Sequence, residues 1–445
     1  MKKLISVLLV VIMVFALCAC GAKSAAKSEA PAAEETTVAE AATETVDGKE
    51  PVTITYMRQE AINDSIEREI IAEFEKEYPW ITVEIMNVPA METYNKLLLT
   101  TQAGNPPDVF WNFWTAGAAA NDLLEDLGPY VDDAYLEDFN DAMLGICELD
   151  GKLYGLPWRS SPNIYCTNKD VIDAAGIDMP DDANWTWTEF KDFITALRDV
   201  DNGVYGVGFD GASADTGTDW QFWPWLLSAG GHIMNEDNTR AAFNSEEGVK
   251  ALTFLCDLIN EDLVPPGITS TTSSILEEMQ ASNKLCMWQD GVWMMTSEMQ
   301  KYPDVNFVAL SLPRGEDGMS GNISGGTCVS MAAGSHHKEE AWLFLKYICS
   351  EENMLKWATG TWSLSGRESN WDDDYYKTDY WQTCINGLKN CDNLFPANAY
   401  YDNETLNQIM REYLGAAYIG EMTPQEALDA AAAEWNAILE EHYPA

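Results

Sequence analysis

Aromatic rings interleaved with short polar side chains are the strongest chemical signal in this chain. It holds 17 tryptophans, and many fall in stretches that read as loops. Trp111, Asn112, Phe113 and Trp114 close a short apolar run, and Trp158 and Arg159 follow Pro157. Trp220, Trp223 and Trp225 crowd into one heptapeptide with Asp219, while Trp288 and Trp293 flank Gln289-Asp290-Gly291. A pyranose has one apolar C–H face and a polar rim. Flat rings can cover that face, and Asp, Asn, Gln or Arg can bond the hydroxyls. Arg58, Arg159 and Arg367 stand out in so acidic a chain, and each could clamp a carboxylate or a pair of hydroxyls. The competing interpretation is structural. Most of the tryptophans must be core, with Trp185, Trp342, Trp357 and Trp435 reading as helix packing residues and Trp293 as a core residue. Each arginine could equally pair with one of 72 acids, and Asp108 reads as a brace for its strand loop.

Catalytic signals are poor. The four histidines, His232, His336, His337 and His442, form no His-Glu-x-x-His pair, and there is neither a Gly-x-Ser-x-Gly elbow nor a phosphate-binding glycine loop. A glycosidase needs two carboxylates at a set separation, but with 72 acids such pairs arise by chance. No spaced cluster suggests a metal. The expectation is a protein that is not an enzyme and has no cofactor. A formal charge of −46 argues against nucleic acid and anionic lipid as partners.

The beginning of the chain sets the compartment. Lys2 and Lys3 precede Leu4–Leu17, apolar apart from Ser6, which is shorter than the roughly 20 residues of a spanning helix. Residues 1–19 read as a signal peptide. Leu17-Cys18-Ala19-Cys20-Gly21 resembles a bacterial lipobox, which implies cleavage before Cys20 and a diacylglyceryl group on its sulfur. Two acyl chains give a stable anchor where one is marginal. The anchor matters, because loss of residues 1–19 removes two lysines and no acid and takes the charge from −46 to −48. Residues 20–50, rich in Ala, Glu, Thr, Ser and Lys without an aromatic, read as a disordered tether. Cys256, Cys286 and Cys349 sit in apolar runs and read as buried small hydrophobes. Cys384 and Cys391 are close enough in sequence to pair, and the sequence leaves that open.

The roughly 395 residues from Pro51 onward exceed one ordinary core and suit two lobes. Val52–Met57 alternates as a strand. Ile66, Ile70, Phe74 and Tyr78 mark one helix face. Ile81–Val88, a helix over Tyr94–Gln102 and the strand Val109–Trp111 continue an α/β pattern that implies a parallel sheet, with ligands beyond the carboxyl ends of its strands. Thr186-x-x-Glu189 and Thr423-x-x-Glu426 are capping boxes, and Asn244–Leu263 and Lys338–Ser350 read as amphipathic helices.

Several stretches in order resemble the extracellular solute-binding protein family 1, the maltose-binding-protein-like sugar receptors of ABC importers. They are Gln102-Ala-Gly-Asn-Pro-Pro-Asp108-Val-Phe-Trp111; Asp150-Gly-Lys-Leu-Tyr-Gly-Leu-Pro157 with Asn168-Lys-Asp170 and Trp187-Thr-Glu-Phe190; Gly291-Val-Trp293; and Gly325-Gly326 followed by the Lys338–Leu345 helix. The Thr423–Leu428 segment also fits, and Trp362-Ser-Leu-Ser-Gly-Arg367 departs from the family pattern. The resemblance implies an α/β, two-lobed periplasmic-binding-protein-like fold of type 2. Each lobe is a sheet flanked by helices, with lobe 1 at 51–157 plus 314–360 and lobe 2 at 158–313 plus 361–445. Hinges are expected near Pro157 and near Pro313-Arg314-Gly315. It implies an extracellular, lipid-anchored monomer that takes a mono- or oligosaccharide between its lobes and delivers it to permease subunits. The membrane is met through the anchor alone. The expected contacts are Arg58, Trp111, Asn112, Trp114, Trp158, Arg159, Trp220, Trp223, Asp290, Gly325, Gly326 and Arg367, family position adding weight to Trp111 and Trp223. A secreted glycoside-acting enzyme, or a sensory or adhesive lipoprotein of the same fold, is the alternative, and adjacent permease genes would favour the receptor.

Overall fold

Alternation and capping lay out the first elements much as the sequence predicts. The computed structural model describes residue 45 and residues 48–59, 64–89, 92–397 and 399–444. The signal peptide, Cys20 and residues 20–44 of the tether lie outside them. β1 (Val52–Gln59), α1 (Asp64–Glu77), β2 (Ile81–Val88), α2 (Thr93–Gln102) and β3 (Val109–Asn112) form a parallel unit. β1 pairs with β2 from Val52↔Ile81 to Gln59↔Val88, and with β3 at Tyr56↔Val109. Asp108 braces the entrance to β3, accepting from Thr55 N at 2.8 Å and from Ser335 Oγ at 2.6 Å.

The short helix α3 (Thr115–Ala120) leads on to β4 (Leu156–Asn168), a 13-residue strand. After it come α4 (Trp187–Leu197), β5 (Tyr205–Gly208), α5 (Gly217–Ser228) and α6 (Glu246–Asn260). β6 (Leu285–Gly291) runs directly into α7 (Val292–Lys301), followed by β7 (Phe307–Leu310) and β8 (Gly321–Met331). α8 (Lys338–Ile348), α9 (Glu351–Thr361), α10 (Asn403–Tyr418) and α11 (Pro424–His442) complete the labelled set. Both capping boxes form, at Thr186/Glu189 and Thr423/Glu426.

The main sheet runs β2-β1-β3-β8-β4-β6-β5. β4 and β8 are the long members. β4 pairs antiparallel with β8 from Leu156 to Pro162, and then with β6 and β7 from Asn163 to Asn168. β8 carries Ile323 into one hydrophobic cluster and Val329 into another. The first cluster holds Tyr165, Phe190, Trp223 and Trp435, and the second holds Ile54, Phe74, Trp158 and Phe344. These two strands therefore run from one core to the other. The Pro313–Gly315 turn lies beside α4: Arg314 N donates to Trp185 O at 2.9 Å, and Arg314 Nη1 to Asp392 Oδ2 at 2.9 Å.

All eight cysteines in the described residues are unpaired, and Cys256, Cys286 and Cys349 are buried as expected. No helix among the described residues is long and apolar enough to cross a membrane.

Candidate ligand-binding site

A cavity of ≈ 530 Å³ opens where β4 and β8 run from one core to the other. Two indoles form its most specific feature. Trp220 lies in the first turn of α5, and its Nε1 donates to Asn163 Oδ1 on β4. Its ring is seated over β8 at Gly325, where a Cβ would stand 2.1 Å from Trp220 Cη2. Trp293 lies with its face over Gly291, a Cβ there standing 1.9 Å from its Cζ3, 2.3 Å from Cη2 and 2.4 Å from Cε3. The two ring centroids are 5.7 Å apart and inclined by 57°. Glycine at 325 and 291 is thus what lets each ring reach the backbone, Trp220 by the outer edge of its indole at Cη2 and Trp293 by its face. Phe113 and Trp114 supply further aromatic wall after β3.

Polar groups are held around these rings. Arg159 Nε donates to Thr327 Oγ1 at 2.9 Å, and its guanidinium carbon lies 5.9 Å from the Phe113 ring centre. Burial pulls the Arg159 pKa down to about 10. Asn112 accepts from Trp114 N at 3.1 Å and donates to Ser330 Oγ at 3.1 Å, fixing the turn that presents Trp114. Asp290 accepts from Gly291 N at 2.7 Å. Burial, with Asp215 and Glu298 adding charge nearby, raises its pKa to about 7. Asp219 pairs with Arg411 Nη1 at 2.9 Å, yet burial lifts its pKa to about 6. Glu298 accepts from Trp288 Nε1 at 3.2 Å, and burial raises its pKa to about 7.

Of the twelve contacts expected from sequence, Asn112, Trp114, Arg159, Trp220, Asp290, Gly325 and Gly326 line the cavity. Five do not, and each has a structural role elsewhere. Arg58 is fully buried and ion-paired with Glu67 and Asp64. Trp111 donates from Nε1 to Tyr56 Oη at 2.5 Å, and its ring meets Trp357 with centroids 5.6 Å apart. Trp158 packs on the same Trp357 at 4.6 Å. Arg367 bonds Asp138 Oδ2 at 2.9 Å and Cys349 O at 2.8 Å. Trp223 sits between Phe243 and Trp435, one turn deeper in α5 than Trp220.

Strand parity explains three of these placements. Successive side chains on a strand point to opposite faces. Gln59, Asn112 and Arg159 line the cavity, so their neighbours Arg58, Trp111 and Trp158 face the core.

The sequence also missed residues. Trp293, read as core, is 39 % exposed and lines the cavity. Asn403, Asn407 and Arg411 bring one face of α10 to the same space. Their signal is a polar residue every fourth position beside Leu406, Met410 and Leu414, all three polar residues being buried.

The family profile described as bacterial extracellular solute-binding protein matches residues 59–355. A binding protein of Brucella abortus is 26% identical over 83% of this chain and 89% of its own length. The arabinooligosaccharide-binding protein of Bacillus subtilis is 25% identical over 86% of this chain and 91% of its own. Among solved structures, an ABC transporter solute-binding protein from Thermotoga lettingae, bound with α-D-tagatose, superimposes with a TM-score of 0.75. It is 25% identical and is matched over 87% of this chain and 99% of that one.

Proposed function

The chain belongs to the bacterial extracellular solute-binding proteins, and on that premise we propose that it is a sugar receptor that hands its ligand to an ABC importer. The observation that carries this is the pair of indoles held against glycine backbone, Trp220 edge-on at Gly325 and Trp293 face-on at Gly291, with Arg159 and Asp290 lining the same cavity. Rings on backbone offer flat apolar platforms for the C–H face of a sugar, and the charged groups bond its hydroxyls. Relatives bind arabinooligosaccharide and tagatose, which supports a carbohydrate ligand.

Two lobes, meeting at the central part of β4 and β8, close on the ligand, since a solute that contacts both sides better when they are together favours the closed state. Cys20 anchors the chain through lipid, the tether holds it off the membrane, and it acts as a monomer without chemical turnover. The test is a thermal-shift screen over mono- and oligosaccharides, because a solute that binds only the native state must raise its melting temperature. A hit is then followed by small-angle scattering. A sugar-dependent shift together with a smaller radius of gyration is expected. No shift with any sugar would remove the carbohydrate reading, an unchanged radius would remove closure, and product accumulating beyond one equivalent would make the protein an enzyme.

A further inference from the structure

The charges around the cavity are unequal after internal pairing. Asp219 is matched by Arg411, and Glu277 by Lys301 at 2.5 Å. Asp215, Asp290, Glu298 and Glu404 also line the space; Lys301 lies near enough to Glu298 and Arg411 near enough to Glu404 to favour their charged forms, but among the described residues none of the four forms an ion pair. The one guanidinium left to face them is Arg159. Asp215 is held by Gly217 N and Ser273 Oγ, and Glu298 by Trp288 Nε1 and Cys166 Sγ. Asp290 is different. It is 8 % exposed, and among the described residues its side chain accepts one hydrogen bond, from the Gly291 amide on Oδ1. A second acceptor is unmet in the same wall: Asn403, 1 % exposed, has no partner for its Oδ1.

Resting on the sugar reading above, we infer that the preferred ligand carries a protonated amine, as an amino sugar does, and that Asp290 receives it. A carboxylate taken from water without a counter-ion is costly, and a cation relieves that cost where a neutral hydroxyl cannot. The aromatic walls act in the same direction. The faces of Trp114, Trp220 and Trp293 attract cations through the ring quadrupole. An anionic sugar would have one guanidinium, Arg159, to set against four acidic side chains, and is disfavoured. The raised Asp290 pKa fits this. The empty site holds a proton there that an ammonium would displace, so at about pH 6 binding of an amine releases a proton and binding of a neutral sugar does not.

The experiment is titration calorimetry with matched glucose, glucosamine and glucuronate mono-, di- and trisaccharides at about pH 6, in two buffers of different ionisation enthalpy. The expected result is at least tenfold tighter binding of an amine than of its neutral counterpart, no binding of the acids, and a buffer-dependent heat for the amine alone. Asp290→Asn should shrink the amine-to-neutral ratio and remove the buffer dependence. Should that variant not fold, the proton release and a weakening of amine binding in added salt are read on the natural chain. Neutral sugars binding as tightly as amines, or acids binding at all, would overturn the inference and leave the sugar reading standing. Binding of no member would bring down both, and tight binding of a non-sugar amine such as choline alone would keep Asp290 as a cation site and discard the sugar.

Discussion

Adding one carbon to Gly325 tests the proposed platform without removing any side chain from the cavity. Gly325 carries no positive φ, so alanine is compatible with its backbone. The new Cβ would lie 2.1 Å from Trp220 Cη2, 2.9 Å from Cζ2 and 3.1 Å from Cζ3. Non-bonded carbons rest at about 3.5–4.0 Å, so the outer edge of the indole must retreat by roughly 1.5 Å. Its Nε1 is bonded to Asn163, so the ring must tilt about that bond or break it. A gap of about 0.5–1 Å already forfeits a quarter to a half of a dispersion contact. If a stacked sugar gains about 1–3 kcal/mol from Trp220, Gly325→Ala should lose about 0.5–1.5 kcal/mol, a roughly 2- to 12-fold weaker Kd. Calorimetry with the sugar found by thermal screening reads this directly. A double-mutant cycle isolates the cause: in a Trp220→Ala background the added methyl should cost almost nothing. Gly325→Ala binding like the natural chain would refute the reasoning, as would an equal loss with and without Trp220.

Trp223→Ala should act on stability instead of recognition, because its ring is 3 % exposed between Phe243 and Trp435. A loss of about 3–5 kcal/mol in urea unfolding is expected, and a fully stable variant with weakened ligand binding would return Trp223 to the site. Arg58→Ala should likewise cost about 3–5 kcal/mol by stranding the buried Glu67 carboxylate, with ligand affinity of the folded fraction unchanged. Asp219, Asp290 and Glu298 hold protons to about pH 6, 7 and 7 when folded, whereas an unfolded carboxyl releases its proton near pH 4. The folded state then binds more protons between those limits, so the ligand-free protein should lose stability as pH rises from about 4 to 7, and Asp290→Asn should flatten that slope. A slope identical in the variant would contradict the Asp290 assignment. Cys20→Ser should release the protein from the membrane fraction, and unchanged retention with no lipid on the N-terminal peptide would refute the anchor.

Much of the architecture was legible because local rules agree with the fold. The alternation of Val52–Met57, the four-residue steps of α1 and the two capping boxes place elements within a residue or two of those observed. The site was legible by neighbourhood and, for seven of the twelve expected residues, as lining of the cavity. Sequence drew attention to the ends of β1 and β3 and to the start of β4, naming Arg58 but not Gln59 in the first, and both members of the pairs Trp111 and Asn112, Trp158 and Arg159 in the others. Which member of a pair faces the cavity depends on strand parity. Parity is readable when one face is apolar and the other polar, and here both faces are covered. β3 is buried at all four positions, and β4 at every position but Arg159. The largest rings then go to the core, because it has the volume to take them, and the smaller polar neighbour is left at the cleft.

The same logic runs the other way at Trp220 and Trp293. Each is a large ring at the cleft, and each can stay there because the residue beneath it is glycine, on a different strand for Trp220 and two positions earlier for Trp293. A glycine inside a strand weakens it and marks a place where something approaches the backbone closely. Gly291 and Gly325 therefore carried more information about the site than most of the tryptophans did. What the sequence could not supply was the pairing, since nothing local links Gly325 on β8 to a ring more than a hundred residues away on α5. That link exists only once β4 and β8 lie side by side, with Asn163 of β4 holding the indole nitrogen and Gly325 of β8 receiving the outer edge of its ring. The strands that join the two cores thus also line the cavity, and any change in their relative angle must move the platform proposed for the ligand.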